Sequence, residues 1–346
     1  MPALSFRQAG LVLRRNGASA SHEQIRDLQQ ALRSLGYLKS GIDGAFGDGV
    51  EAAVKALQWD MLSNDGASTA RDGQAPVRVL DYNRGRVSTV TGAADQGLVA
   101  CIADILDDPK FPKLPFVPDA VAANARFVAE LAGASFEGVP VPFLVAILKQ
   151  ESALRHYHEP GAGDRDTFIT VGLDTNDVAH PERITSRGYG VGQHTLFHHP
   201  PQPTEIADYM LDAAGNVRQA ALRLREEFDH FLCGATSGTR SEDRIAEAGR
   251  APLRLCKFGC DDAWHLKDCR QCAHAAGTSA IQCGVTPLYP GAVDVYQPTA
   301  YYASTSYAGV PIRKNLGCDW PYAARRYNGA GMNSYHYQAK ILNNLL

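Results

Sequence analysis

Glu151 ends a run of mostly apolar residues, 141–152, whose spacing is that of one helix face. Leu144, Ile147 and Leu148 lie three or four positions apart, and Glu151 continues the same face. A carboxyl group on an apolar face lies in the core or in a cleft, where desolvation disfavours its charged form and raises its pKa. A carboxylic acid that stays protonated near neutral pH is the group that general acid catalysis requires. The alternative is that this side chain reaches solvent or pairs with an arginine.

The cysteines form a second group of residues that could do chemistry. Six of the eight fall between residues 233 and 283, in an insert with the spacing C-x22-C-x3-C-x8-C-x2-C-x10-C. Cys269 and Cys272 have the spacing of a zinc half-site, and His265 and a further cysteine pair lie nearby. The even count and the density also fit disulfides, which form in an oxidising compartment. We favour disulfides over zinc.

Two other clusters could hold a metal ion. His194, His198 and His199 lie close together in sequence, but the run HHPP at 198–201 is typical of an exposed loop. The acidic run DTND at 174–177 lacks the ligand spacing of an EF-hand and is typical of a turn. The sequence therefore predicts neither a metal site nor a cofactor.

Most of the chain has helical periodicity, so we predict a mainly α fold with a small β component (α+β). Ser21 is a candidate N-cap of a first helix that carries Leu28 and Leu32, and Gly36 is placed to close it. The apolar side of a second helix comprises Val50, Ala53, Val54 and Leu57. These two helices define a small N-terminal module.

Helical patterns return beyond residue 95. A helix over 119–131 is expected to have an inward face comprising Val121, Ala125, Val128 and Leu131. The β-branched stretch 167–174 predicts a short strand or hairpin. Residues 205–231 form a long amphipathic helical region, and 322–345 return to helix after a glycine-rich turn.

Length, charge and composition exclude several classes of protein. The 346 residues suffice for two or three domains, and 45% of them are hydrophobic, which predicts a folded chain. The net charge of -3, with Lys and Arg scattered among acids, argues against a nucleic-acid partner. No apolar run approaches the roughly 20 residues of a membrane span, and the N-terminus lacks the apolar core of a signal peptide. We therefore expect synthesis in the cytoplasm and export by another route.

The N-terminal module resembles the three-helix type of peptidoglycan-binding domain. The resemblance is carried, in order, by IRDLQQAL at 25–32, LGYL at 35–38, DGAFG at 43–47 and AAVKALQ at 52–58. One departure is the Gly-Val pair at 49–50, where the family usually has a threonine before the second helix. The resemblance implies a wall-binding role, in which most matched residues are core. Its candidate ligand contacts are Tyr37 and Asp43.

The second half resembles the lysozyme-like fold of lytic transglycosylases and goose-type lysozymes. Three separated signatures carry this resemblance: AILKQES at 146–152, GYGVGQ at 188–193 and RYNGAG at 326–331. The segment DAAGNV at 212–217, which enters a long core helix in that family, lies between the last two. Gly192 departs from the family's methionine, which alters the wall of one sugar subsite.

This second resemblance implies Glu151 as the catalytic acid. The sugar-binding residues that it implies are Ser152, Gln193, Tyr327 and Asn328. Asp174 follows the predicted strand, where goose-type lysozymes present auxiliary aspartates, so it is the candidate second catalytic group. That second carboxylate separates hydrolases from lytic transglycosylases, in which the substrate's own 6-hydroxyl is thought to attack.

The expected organisation is a peptidoglycan-binding domain over 8–62, a linker or connecting segment over 63–94, and a lysozyme-like catalytic domain over 95–346 that contains the cysteine-rich insert. The expected function is cleavage of the β-1,4 bond between N-acetylmuramic acid and N-acetylglucosamine by an antibacterial effector or a phage-type lysin. It would reach the periplasm through a secretion system or a holin. Its partners would be glycan strands and, for an effector, an immunity or inhibitor protein. The alternatives are a non-catalytic peptidoglycan-binding protein and a zinc-dependent wall amidase or peptidase.

Overall fold

A computed structural model describes most of the chain up to residue 231 and single positions near the C-terminus. The described residues are 5–17, 20–39, 41–64, 66, 75–136, 139–231, 323, 324, 326–329, 337, 340, 341 and 344. The chain divides into two compact units, of which unit 1 comprises Met1–Gly133 and Leu154–Val217, and unit 2 comprises Ala134–Ala153 and Arg218–Leu346. The cysteine-rich insert and most of the helix predicted over 322–345 lie outside the described residues.

The described residues form a mainly helical fold with one small sheet, which confirms the predicted fold class. The α-helices are α1 (His22–Ser34), α2 (Asp48–Ser63), α3 (Gln96–Asp107), α4 (Ala120–Ala132), α5 (Val141–Ser152), α6 (Pro203–Glu205) and α7 (Ala213–Phe231). Short 3-10 helices cover Ser5–Arg7 and Val79–Tyr82, and a π-helical turn covers Ile206–Met210. The strands are β1 (Val171–Asp174), β2 (Ser186–Tyr189) and β3 (His194–Leu196). No helix of the described residues is long and apolar enough to cross a membrane.

Helix α1 begins and ends as its sequence predicts. The Ser21 hydroxyl accepts a hydrogen bond from the Gln24 backbone N–H at 3.2 Å, and the Gln24 side chain accepts one from the Ser21 N–H at 2.9 Å. This reciprocal pair is a capping box. At the other end Gly36 adopts a φ of +78°, and the Tyr37 N–H bonds the Leu32 carbonyl at 2.9 Å. The left-handed conformation at Gly36 is one that glycine adopts without strain, so the turn ends the helix cleanly.

Helix α4 is rotated relative to its predicted orientation. The predicted inward face is wrong for three residues, which are exposed: Val121, Ala125 and Val128. The buried face comprises Ala120, Asn124, Phe127 and Leu131. The Asn124 side chain accepts hydrogen bonds from the His156 and Tyr157 N–H groups, both at 3.0 Å, and donates one to the Tyr157 carbonyl at 2.8 Å. These bonds satisfy a buried amide, which a hydrophobic pattern cannot anticipate.

The three strands form an antiparallel sheet in the order β1-β2-β3. In its register Gly172 pairs with Gly188, Asp174 with Ser186, and Tyr189 with His194. The strand predicted over 167–174 is thus confirmed over Val171–Asp174. Residues 175–185 connect β1 to β2.

Unit 1 contains a hydrophobic core to which α1, α2 and α3 contribute. Residues 75–94, predicted as part of a connecting segment, supply buried side chains to the same core: Val79, Val87 and Ala94. Asn83 is also buried, and its side chain bonds the backbone of Met61 and Val87. This stretch is therefore a packed part of unit 1.

Two buried ion pairs join α1 and α2 to residues 154–217 within unit 1. Arg33 Nε lies 2.7 Å from Asp166 Oδ2, and both side chains are almost fully excluded from solvent. Arg187 Nη2 lies 3.3 Å from Asp60 Oδ2, and both of these side chains are buried as well. Removing one partner of a buried pair strands the other charge, so these contacts fix the packing of the N-terminal helices on this part of the chain.

Candidate active site

Glu151 lies in the last turn of α5, in unit 2. The predicted apolar face of this helix is confirmed, because Leu144, Ile147 and Leu148 are fully buried while Glu151 is half-buried. The helix ends at Ala153, whose φ is +55° and whose N–H bonds the Lys149 carbonyl at 2.9 Å. A left-handed conformation strains a residue that has a Cβ atom, by about 1–3 kcal/mol. The chain therefore turns sharply just after the glutamate.

Tyr337 contacts Glu151 directly. Its hydroxyl donates a hydrogen bond to Glu151 Oε1 at 2.5 Å, and its side chain is only 7% exposed. Burial raises the pKa of Tyr337 well above its usual value, and the negative charge of Glu151 raises it further. Tyr337 thus stays protonated and can act only as a donor towards this carboxylate. The sequence placed Tyr337 only within the helix predicted over 322–345, and gave it no role in the site.

Tyr327, a predicted sugar-binding residue, is buried in the same unit. The Arg223 guanidinium lies over its ring, with Cζ 4.7 Å from the ring centroid, and Arg223 Nη2 donates to the Tyr327 carbonyl at 2.8 Å. Burial raises the pKa of Tyr327 above its usual value, and the charge of Glu151 adds to this effect. Asn328 follows as an exposed residue, and the Gly329 N–H closes a turn on the Arg326 carbonyl at 2.8 Å. Glu151, Tyr337 and Tyr327 therefore act electrostatically on one another.

Glu227 is a second acidic residue in unit 2 that the sequence did not single out. It lies on α7 and is only 7% exposed, and its charge also raises the pKa of Tyr327. The signal for it was the same as for Glu151: Leu224 and Phe228, its neighbours on the helix, are both buried. Unit 2 thus holds two carboxyl groups within electrostatic reach of one buried tyrosine.

Ser152 makes a local helical contact. Its hydroxyl donates to the Leu148 carbonyl at 3.1 Å. Back-bonding of this kind is common for serine within a helix. A sugar-binding role for Ser152 stays a prediction, as it does for Tyr327 and Asn328.

Gln193, in unit 1, lies over the two paired glycines of the sheet. Its side-chain Nε2 donates to the Gly190 carbonyl at 2.7 Å, and its own φ is +50°. A Cβ atom on Gly172 would lie 2.4 Å from Gln193 Oε1, and one on Gly188 would lie 2.7 Å from it. The Gln193 side chain therefore occupies the space that a Cβ atom at either glycine would take. Whether Gln193 binds sugar stays a prediction.

The loop before Gln193 is held by two buried polar residues. Asn216 Oδ1 accepts from the Gly192 N–H at 2.7 Å, and its Nδ2 donates to the Tyr189 carbonyl at 2.9 Å. His156 Nδ1 accepts from the Val191 N–H at 3.3 Å, so Nε2 carries the proton and donates to the Met210 carbonyl at 2.9 Å. Burial lowers the pKa of His156 to about 4, so the ring is neutral at physiological pH. The GYGVGQ segment is thus held in place by hydrogen bonds with His156 and Asn216. Its glycines alone did not predict these bonds.

The remaining predicted residues also lie in unit 1. Asp174 is exposed at the end of β1, and its Oδ2 accepts from the Ser186 hydroxyl at 2.8 Å. Tyr37 is buried, and its hydroxyl donates to Asp60 Oδ2 at 2.6 Å. Asp43 is exposed, and its Oδ1 accepts from the Gln29 side chain at 2.7 Å. The catalytic role of Asp174 and the glycan contacts of Tyr37 and Asp43 stay predictions.

The prediction of an exposed loop at 198–201 is wrong for His199. Its ring is buried against the rings of Tyr37 and Phe111, with centroids 4.9 and 6.4 Å away. The aromatic partners come from distant parts of unit 1, which explains why the local HHPP pattern was misleading. Among the residues that the structure describes, no group of three or more His, Cys, Asp or Glu side chains has the arrangement of a metal site.

Comparison with known proteins supports the N-terminal assignment. The family model of the "Putative peptidoglycan binding domain" matches residues 21–63, which contain α1 and α2. Searches of curated proteins and of solved structures return no significant match to the chain. The chain thus carries a peptidoglycan-binding domain, which supports association with the cell wall.

Proposed function

We propose that this protein cleaves the glycan strands of peptidoglycan, at the β-1,4 bond between N-acetylmuramic acid and N-acetylglucosamine, with Glu151 as the general acid. The observation that carries the proposal is the hydrogen bond from the buried Tyr337 hydroxyl to Glu151 Oε1. A carboxyl group that is half-buried at a helix end and held by a tyrosine is positioned for proton transfer. The same chain contains the peptidoglycan-binding domain over 21–63, which supports peptidoglycan as the substrate.

In the proposed reaction the Glu151 carboxyl gives its proton to the glycosidic oxygen as the bond from that oxygen to the anomeric carbon breaks. The leaving sugar departs as an alcohol, and the remaining sugar becomes an oxocarbenium-like species. Either water or the 6-hydroxyl of the same sugar then attacks the anomeric carbon. When the 6-hydroxyl attacks, its proton returns directly to the Glu151 carboxylate and restores the acid. When a second carboxylate activates water, that carboxylate takes the proton, and both groups exchange protons with solvent before the next turnover.

Tyr337 is a positioning residue in this scheme. Because its hydroxyl donates to Oε1, the transferable proton of the acid resides on Oε2. The bond fixes the plane of the carboxyl group, so that the second oxygen keeps a constant direction. Orientation of a reacting group is a large part of enzymatic rate enhancement.

The identity of the second catalytic group decides the product. A carboxylate that activates water gives reducing ends, and Asp174 is the residue that we propose for this role. Attack by the 6-hydroxyl needs no second carboxylate and gives 1,6-anhydro ends. Mass spectrometry of digested glycan strands distinguishes the two products. If the parent protein forms reducing ends and Asp174→Asn does not, Asp174 is the base.

The central test replaces Glu151 by Gln and measures clearing of purified peptidoglycan. We expect activity to fall to background while binding to the insoluble wall is retained, because Gln cannot donate a carboxylic proton. Glu226→Gln is a matched control, since Glu226 is an exposed glutamate of α7 in the same unit. Full clearing by Glu151→Gln would overturn the assignment of Glu151 as the general acid, whereas no clearing by the parent protein would leave a wall-binding protein.

We further propose that the protein acts in the periplasm as an antibacterial effector or a phage-type lysin. An added secretion leader should then make expression lytic in a Gram-negative host, whereas expression without the leader should leave the cells intact. Glu151→Gln carried by the same leader should not lyse the cells. Co-expression of an exported immunity protein would protect them in the effector case.

A further inference from the structure

A pocket of about 430 Å³ lies within unit 1, at the C-terminal end of α2. Side chains from α2, from the connection between β1 and β2, and from the segment after β3 line it. They include Trp59, Asp60, Arg183, Thr185, Phe197 and His199. None of these residues belongs to the Glu151 site or was assigned a role by the sequence. The volume is in the range of small-molecule sites.

His199 is the buried polar group of this pocket. Its side chain is only 2% exposed, and neither Nδ1 nor Nε2 has a hydrogen-bond partner among the described residues. A neutral imidazole offers one donor and one acceptor, and buried polar atoms of this kind are almost always satisfied. Because His199 lines the pocket, a bound molecule with hydroxyl or amide groups can supply these partners.

Aromatic rings give the pocket apolar surfaces next to its polar groups. The indole ring of Trp59 is half-buried and lies against His180, with ring centroids 4.4 Å apart. The Phe197 ring is 82% exposed, so it lacks the hydrophobic stabilisation that burial of a large apolar side chain provides. Flat apolar surfaces beside hydrogen-bonding groups suit a pyranose ring, which has apolar C–H faces and a polar edge.

The charges that line the pocket already have partners within unit 1. Arg187 pairs with Asp60, at 3.3 Å between Nη2 and Oδ2. Arg183 pairs with Asp177, at 3.2 Å between Nη1 and Oδ2. Since the described side chains leave no net uncompensated charge here, the pocket fits a neutral polar ligand better than a phosphate or a carboxylate.

We propose that this pocket binds an N-acetylated hexosamine unit of the glycan strand, with Phe197 and Trp59 against the sugar faces and His199 bonded to a hydroxyl or acetamido group. It is a second glycan site, and residues that follow the peptidoglycan-binding domain match of 21–63 supply much of its lining. The proposal rests on the glycan substrate class of the proposed function, and it does not depend on the chemistry of Glu151. It places glycan recognition where α2 meets the sheet segment of unit 1.

The test uses the full chain with Glu151→Gln, titrated with triacetylchitotriose and followed by tryptophan emission. Among the described residues that line this pocket, Trp59 is the one tryptophan. We expect a saturable change in emission that disappears in Trp59→Phe. Phe197→Ala should weaken the Kd about tenfold, as expected for loss of one aromatic contact. Phe116→Ala, which removes another exposed phenylalanine of unit 1, should leave the Kd unchanged.

The proposal is overturned if the parent protein shows no emission change, if the change persists in Trp59→Phe, or if Phe197→Ala and Phe116→Ala bind equally well. These outcomes are independent of the cleavage assay. If Glu151→Gln still clears peptidoglycan, the general acid is wrong while the glycan site stands. If Glu151→Gln does not clear peptidoglycan but the emission experiment gives one of the overturning results, Glu151 stands as the general acid and the glycan site is wrong.

Discussion

The Tyr337 hydroxyl donates a hydrogen bond to Glu151 Oε1 across 186 residues of sequence. The donor is buried, and its pKa lies well above the usual value, so the bond keeps one direction over the whole physiological pH range. An acid that is held in this way depends on a distant part of the chain for its orientation. The following prediction tests this dependence.

Replacing Tyr337 by Phe should lower kcat about 10- to 100-fold and change KM little, because a hydrogen bond to a charged group contributes about 1.5–3 kcal/mol. Steady-state kinetics on soluble glycan fragments measure both constants. The matched control is Tyr82→Phe, which also removes a hydrogen bond from a tyrosine hydroxyl to an aspartate, Asp108, at 2.8 Å. An equal loss in both variants would show that the effect of Tyr337 is merely structural.

Replacing Gly190 by Ala should destabilise the protein more than the same change at Gly163. Both glycines have a positive φ, +72° and +82°, so both variants bear the strain of a left-handed alanine. Only at Gly190 would the new Cβ atom also lie 2.7 Å from Asn216 Nδ2 and from His156 Cε1. We expect the Gly190 variant to lose an additional 1 kcal/mol or more, roughly the cost of overpacking a dense site, in urea unfolding. Equal losses would mean that His156 and Asn216 do not fix the loop tightly.

Burial of His156 predicts that the protein is less stable in mild acid. Its pKa is about 4 in the folded chain, below the ordinary value of 6.5 expected for the unfolded chain. Between these values the unfolded chain binds a proton that the folded chain does not, so the stabilisation is complete above pH 6.5 and is lost as pH falls towards 4. The slope attributable to this residue reaches about 1.4 kcal/mol per pH unit.

Urea unfolding of the parent protein and of His156→Asn, measured from pH 4 to pH 8, tests this expectation. The variant should be less stable above pH 7 by a constant amount, because both of its buried hydrogen bonds are altered. As the pH is lowered, the free energy of unfolding of His156→Asn should then decrease less steeply than that of the parent protein. Parallel curves over the whole range would contradict the assignment of the proton uptake to His156.

Replacing Asp166 by Asn should lower the free energy of unfolding by about 3–5 kcal/mol, because Arg33 would keep its charge in a buried position without a counterion. Asn is nearly isosteric with Asp, so the lost free energy of unfolding measures the effect of removing the negative charge. The matched control is Glu23→Gln, which breaks an ion pair with Arg165 at the surface. Exposed pairs contribute little, so this variant should unfold almost as the parent does. Equal stability of all three proteins would show that the Arg33–Asp166 contact is unimportant.

The parts of the fold that the sequence predicted correctly are those set by neighbouring residues. The predicted N-cap at Ser21 depends only on the first turn of α1, and the buried face of α5 needs only helical periodicity. The Asp174 end of β1 also follows from a local β-branched pattern. In each case one element contains the whole signal.

The errors have the opposite origin. Helix α4 is rotated because Asn124 bonds the backbone of His156 and Tyr157, and His199 is buried because rings from distant segments enclose it. The contact between Tyr337 and Glu151 was not predicted for the same reason. Buried polar contacts between distant segments have no periodicity, so composition and spacing could not reveal them.

The ion pairs of Arg33 with Asp166 and of Asp60 with Arg187 restrict how such a protein can be altered by recombination. The peptidoglycan-binding match stops at residue 63, but half of each pair lies far beyond it. A gene fusion that transplanted only residues 21–63 would carry Arg33 and Asp60 away from their counterions and leave Asp166 and Arg187 behind. The unit that can be exchanged intact between proteins is therefore larger than the recognisable wall-binding motif.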